Sequence, residues 1–183
     1  MTIEKTKLKD CFVLRPKVFG DERGYFLESF NLKKFESLVE TSIHFIQDNE
    51  AKSSKGVLRG LHFQLPPYSQ AKLVRVIRGK VLDVVVDLRK SSPTYLQHET
   101  IVLSSKNKKQ LFVPRGFAHG YAVLSQSAVF AYKVDNDYAP EYESGIIWSD
   151  KDLAIDWRLD NSDLIISEKD KKLQPLSRFS SPF

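Results

Sequence analysis

The sequence predicts an all-β fold: a β-sandwich or small barrel with a jelly-roll-like course and a few short helices. Three observations carry this. Short alternating or apolar runs are separated by turn residues, only one stretch has clear helical spacing, and no repeat, low-complexity linker or composition boundary divides residues 1–183, so a single domain is expected.

Taken in order, residues 11–15, 24–30 and 43–47 predict the first three strands. Between the last two, residues 31–40 (NLKKFESLVE) set Leu32, Phe35, Leu38 and Val39 at helical spacing behind Asn31, a residue type that caps helix N-termini. Residues 55–67 (KGVLRGLHFQLPP) form the next strand. Residues 72–78 (KLVRVIR) and 80–87 (KVLDVVVD) flank Gly79 and are expected to pair as a hairpin. Ser91-Ser92-Pro93-Thr94 breaks the chain before a strand at 97–103, and Lys106 to Lys109 form a solvated hairpin tip leading into 110–113 (QLFV). Strands at 121–124 and 128–134 (AVFAYKV) follow, and residues 150–153 suggest one more helical turn.

Composition narrows the function. A hydrophobic fraction of 42% with 28% charged residues is that of a globular protein, and neither a signal-peptide-like start nor 18 consecutive apolar residues are present, so no membrane partner is expected. One cysteine, Cys11, excludes an internal disulfide framework and suits the cytoplasm; its apolar neighbours predict a core position. The net charge of +5 is spread along the chain rather than gathered in a basic stripe with aromatics, so no nucleic-acid partner is expected. A small anionic ligand held by a few arginines and lysines fits the excess better.

Chemistry concentrates in residues 55–67. Strict alternation puts Leu58, Gly60, His62 and Gln64 on one face, an unsuitable set for a dry core, and a bulge at Gly60 would bring Arg59 round beside His62. Lys72 shares parity with Val74 and Val76. Asp83 interrupts the apolar run 80–87 and, if buried, needs a cation or donor. His119, between Gly116 and Gly120 in PRGFAHGYAVLS, is expected on a loop or strand end. Tyr132 shares parity with Phe130 and Val134 and is expected inward, where its hydroxyl needs a partner. Metal ligation is disfavoured, because the position two after His62 is Gln64 while His44, His98 and His119 are scattered. Motifs for a serine or cysteine nucleophile and glycine-rich phosphate loops are absent.

These residues, in this order, resemble the dTDP-4-dehydrorhamnose 3,5-epimerase family. The likeness runs through FGDERGYFLESF (19–30), QDN (47–49), KGVLRGLHFQLPPYSQAKLVRVIRGKVLDVVVDLR (55–89), SPTY, PRGFAHGYAVLS, YKVDNDYAPEYESGIIWSD (132–150) and SEKD (167–170). It implies a cupin-like jelly roll, a cytoplasmic homodimer acting on a dTDP-linked 4-keto-6-deoxy sugar, and no metal or organic cofactor. It further implies His62 as general base with Asp170 as its partner, Tyr132 as the acid on the opposite sugar face, and Lys72, with Arg59, facing the C4 oxygen. Arg23, Phe26, Glu28, Gln47, Asn49, Arg59, His119, Glu143 and Lys169 match substrate-binding positions, and Tyr138 matches an aromatic that stacks on thymine. Residues near the N-terminus are implied to reach the neighbouring subunit's site. Glu50 and Ala51 after QDN, and the tail QPLSRFSSPF, depart from the pattern without touching the acid, base or lysine.

That chemistry asks for these groups. Removing a proton beside a ketone builds charge on the carbonyl oxygen, which a preplaced cation stabilises. Imidazole titrates near neutrality and suits the base, and inversion needs a second group across the ring. A sister epimerase inverting only C3 or C5, or a non-catalytic nucleotide-sugar-binding barrel, remains an alternative reading of the same residues.

Overall fold

The computed structural model describes residues 1–183. In chain order its elements are β1 (Thr2–Lys5), β2 (Phe12–Arg15), β3 (Val18–Asp21), β4 (Gly24–Leu27), α1 (Leu32–Val39), β5 (Gln47–Ser54), β6 (Val57–Gln64), β7 (Lys72–Arg78) and β8 (Lys80–Asp87). Then come β9 (His98–Ser104), β10 (Gln110–Val113), β11 (Phe117–Val123), β12 (Ser127–Val134), β13 (Glu143–Gly145) and β14 (Ile165–Ile166), with short 3-10 turns. One sheet runs β1-β2-β10-β7-β12-β5 and the second β13-β6-β11-β8-β9, with β14 parallel to β6. The two sheets face each other as an open sandwich, so the jelly-roll expectation holds as a sandwich and not as a closed barrel.

Burial explains this course. The strand β8 is apolar at both parities and is buried over Val81–Asp87, so it needs cover on both faces. Val81 and Val85 join Val74, Val76, Tyr121 and Phe130 in a core between the sheets, whereas Leu82, Val84 and Val86 join an outer core with Leu58, Leu61 and Phe63. The C-terminal segment covers that outer face with Ile146, Leu153 and Trp157. A third cluster holds Phe35 and Val39 of α1 over Leu14, Leu73 and Phe112. As the spacing predicts, α1 begins behind Asn31, whose side chain accepts the Lys34 N–H.

The hairpin expected at Gly79 does not form. There β7 ends in one sheet and β8 begins in the other, so their valines meet across the interior instead of side by side. Gly79 makes the corner at φ +84°, and a Cβ there would lie 2.1 Å from the Ser127 carbonyl oxygen. Lys106 to Lys109 likewise join β9 to β10 across the sheets and are not a hairpin tip.

The strand expected at 43–47 is displaced. Ile43 and Phe45 pack into the cluster beneath α1, and the paired strand starts at Gln47. The strand predicted at 24–30 stops at Leu27, that at 121–124 starts at Phe117, and residues 151–154 form one hydrogen-bonded turn, with Ala154 N–H donating to the Asp150 carbonyl. Cys11 is buried in the core as expected.

Candidate active site

A bulge builds the site's first wall. Along the β11–β6 pair, His119 faces His62 and Tyr121 faces Arg59, so β6 spends one more residue than its partner over this step. Leu61 and Phe63 therefore join Leu58 in the outer core while Arg59 and His62 share the inner face. Strict alternation misplaces Leu58, and the bulge anticipated at Gly60 is the reason. Gly60 lies at φ +131°, and a Cβ on it would sit 2.6 Å from the Gly120 Cα; the two glycines let the strands close at this point.

The bulge opens onto a cavity of about 580 Å³ between the sheets. His62, Lys72, Tyr132, Asp170, Arg59, His119, Glu143 and Lys169 all line it, joined by Tyr121, Phe130, Ile165, Ile166 and Ser167. His62 stands on one sheet and Tyr132 on the other, so imidazole and phenol face the cavity from opposite walls.

Two histidine–aspartate pairs lie side by side. His62 Nε2 is 2.8 Å from Asp170 Oδ1, and Asp170 Oδ2 also accepts the Gly60 N–H at 3.2 Å. Although burial opposes it, the contacts with His62, Gly60 and Ser167 hold the Asp170 carboxyl below its ordinary range. The carboxylate thus orients the imidazole through Nε2 and leaves Nδ1 for the cavity. His119 Nε2 lies 3.0 Å from both oxygens of Asp83, which is fully buried. This is the donor that a buried Asp83 requires. His119 itself sits within β11, buried, not at a loop or strand end.

Lys72 lines the same cavity. Burial lowers its pKa to about 8, with Asp83 and Glu143 opposing from a distance. Tyr132 is shifted the other way: burial first, then the nearby Tyr121, pushes its phenol above the ordinary value, which keeps it protonated at neutral pH. Arg59 is held by two 3.3 Å hydrogen bonds to Ser53 Oγ. At the mouth, Glu143 accepts from Lys169 Nζ and from the hydroxyl of Tyr138, each at 2.6 Å, which leaves the Tyr138 ring exposed at the rim.

Other expected residues are not gathered into this cavity. Arg23 and Phe26 ride the β3–β4 hairpin, where Arg23 pairs with Asp21 and Phe26 is 68% exposed. Glu28 pairs with Lys34. Gln47 is exposed and donates to Asn49 Oδ1 at 2.8 Å; Asn49 lies opposite Tyr132 in the β5–β12 register and so points to the same side. Gln64 is structural, donating to the Tyr68 and Asp137 carbonyls and accepting the Ala139 N–H. Sequence reasoning missed Ser53, Tyr121, Ser167 and the Ile165–Ile166 wall. Only Tyr121 carried a signal, its parity with His119. No group of three His, Cys, Asp or Glu side chains could hold a metal ion, and no helix is long and apolar enough to cross a membrane.

Residues 5–178 match the family model described as dTDP-4-dehydrorhamnose 3,5-epimerase. A relative of that name from Shigella flexneri is 54% identical over 170 residues, covering 93% of each chain. A crystal structure of dTDP-4-dehydrorhamnose 3,5-epimerase from Elizabethkingia anophelis NUHP1 aligns with TM-score 0.93 at 52% identity over 97% of each chain. A Legionella pneumophila dTDP-6-deoxy-D-glucose-3,5-epimerase, solved in complex with dTDP-4-keto-L-rhamnose, aligns with TM-score 0.94 at 45% identity over 98% of this chain and 94% of that one.

Proposed function

Because the chain belongs to the dTDP-4-dehydrorhamnose 3,5-epimerase family, we propose that it inverts C3 and C5 of dTDP-4-dehydro-6-deoxy-D-glucose, giving dTDP-4-dehydro-L-rhamnose in the cytoplasm. The observation that carries this reading is the pairing of His62–Asp170 on one wall with Tyr132 on the other, with Lys72 lining the same cavity.

The steps follow from those groups. His62 Nδ1 takes the proton from a carbon beside the C4 ketone; the C–H electron pair becomes the C=C bond of an enolate and the carbonyl π pair moves onto the oxygen. The Lys72 ammonium, with Arg59, faces that oxygen and stabilises the developing charge. The protonated Tyr132 hydroxyl returns a proton to the opposite ring face, and exchange with solvent then takes the proton from His62 and restores the one on Tyr132 before the second carbon reacts. Since C3 and C5 flank the same ketone, one cation serves both inversions.

The test is product analysis by NMR with the dTDP-4-keto-6-deoxyglucose substrate in heavy water. Deuterium at both C3 and C5 with the L-rhamno product is expected; label at one carbon alone would assign a single-centre epimerase, and binding without exchange a non-catalytic barrel. Tyr132→Phe is expected to retain exchange while losing inverted product by about 10²-fold or more, the scale of one positioned acid. Full epimerisation by that variant would remove Tyr132 from the mechanism.

The working unit is a homodimer. The β3–β4 hairpin exposes Val18, Phe19, Tyr25 and Phe26 together, an apolar surface that finds no cover in its own chain. Seated on a second copy, it would carry Arg23 and Phe26 toward that copy's cavity, with Glu28 just beyond the hairpin, while Gln47 and Asn49 on β5 keep their substrate-binding role beside Tyr132 of their own chain. Sedimentation at the mass of one 21.0 kDa chain would defeat this assembly.

A further inference from the structure

One group in the cavity wall has no task in this mechanism. Tyr121 stands two residues after His119 on the inner face of β11, is 5% exposed, and stacks its ring on Phe130 with centroids 4.2 Å apart and planes 14° apart. Its hydroxyl is the only buried side-chain nitrogen or oxygen in the protein with no hydrogen-bond partner. The neighbouring buried acids and histidine are all paired. A phenylalanine would keep the stack and avoid burying an unsatisfied hydroxyl, so the oxygen is unfavourable for the fold alone.

Its position says what could partner it. Tyr121 is opposite Arg59 in the strand register, and Phe130 bridges it to Tyr132, whose ring centroid is 6.1 Å from that of Phe130. It therefore lies in the stretch of cavity wall shared by Arg59 and Tyr132, the groups assigned to the sugar. We propose that Tyr121 is a further substrate-binding residue, its hydroxyl making a hydrogen bond to the hexose of the bound nucleotide sugar rather than to the nucleotide. This rests on the function proposed above and adds a contact to the sugar's side of the site.

The experiment compares wild type with Tyr121→Phe, titrating each with dTDP and with dTDP-glucose by calorimetry. The variant is expected to bind dTDP as wild type does and dTDP-glucose about ten-fold more weakly, the scale of one hydrogen bond. Its melting temperature should be unchanged or higher, because an unsatisfied hydroxyl has been removed. An unchanged affinity for dTDP-glucose overturns the proposal. So does an equal loss for both ligands, or a lower melting temperature, since either assigns the hydroxyl to the fold. Wild-type turnover of the keto sugar, measured in parallel, separates the two readings: an active wild type with an indifferent variant removes Tyr121 alone. A wild type that neither binds nor turns over dTDP-sugars removes the functional reading and this contact together.

Discussion

Replacing His62 with asparagine is expected to cut deuterium incorporation at C3 and C5 by about 10²–10⁴-fold, the span that a positioned general base contributes. The fold should survive, because the side chain lines the cavity and its one recorded hydrogen bond is to Asp170. Asparagine keeps a polar group near Asp170 but has no basic nitrogen. The experiment therefore separates loss of the base from loss of the pair. Asp170 is also tied to the Gly60 N–H and to Ser167, so it stays in place when the imidazole is gone. Circular dichroism and melting checked alongside exchange complete the test. A folded variant that still takes up deuterium at the wild-type rate would show that another group removes the proton. The adjacent candidate would be His119, whose Nε2 is already committed to Asp83.

Much of this site was legible because its residues break a pattern that burial imposes. In a sandwich core, inward positions should be apolar; Lys72, Asp83, His119 and Tyr132 each interrupt an apolar parity, and all four lie at the cavity or against it. Arg59 and His62 were readable as neighbours only through Gly60, whose missing side chain permits the bulge. What stayed hidden has physical reasons too. Period-two alternation reports which face a residue occupies but not which sheet its strand joins, so the crossing at Gly79 resembled a hairpin. The strand β5 reads QDNEAKSS, too polar to resemble a strand, because it is an edge strand and its inner face borders the cavity instead of packed core. Spacing also could not reveal that Arg23 and Phe26 project away from their own chain. Only the motif resemblance, which implies that residues near the N-terminus reach a neighbouring subunit's site, pointed that way.

The second large effect is expected at Lys72, where removing the cation with Lys72→Met should lower kcat by about 10²–10³-fold, the loss typical for one preorganised group facing a developing oxyanion. The same residue sets an alkaline limb in the wild type. Burial lowers the Lys72 pKa from its ordinary 10.5 to about 8, and in the proposed mechanism the charged form is the one that stabilises the enolate. Activity should therefore be retained below about pH 8 and fall as pH rises through that value, as the ammonium loses its proton. In kcat/KM this limb reports the free enzyme. The small residual activity of Lys72→Met should lack it, so a limb near pH 8 that persists in the variant would assign the titration to another group. Stability moves oppositely. Between about pH 8 and 10.5 the unfolded chain binds the proton that folded Lys72 has released, so this residue's contribution to stability rises with pH across that window. Below it, the folded protein bears the cost of a half-buried ammonium with no ion-pair partner. Lys72→Met is thus expected to melt higher than wild type at pH 7 while being nearly inactive. That pairing is expected of a charge kept inside the sandwich for its effect on the transition state and not for the fold.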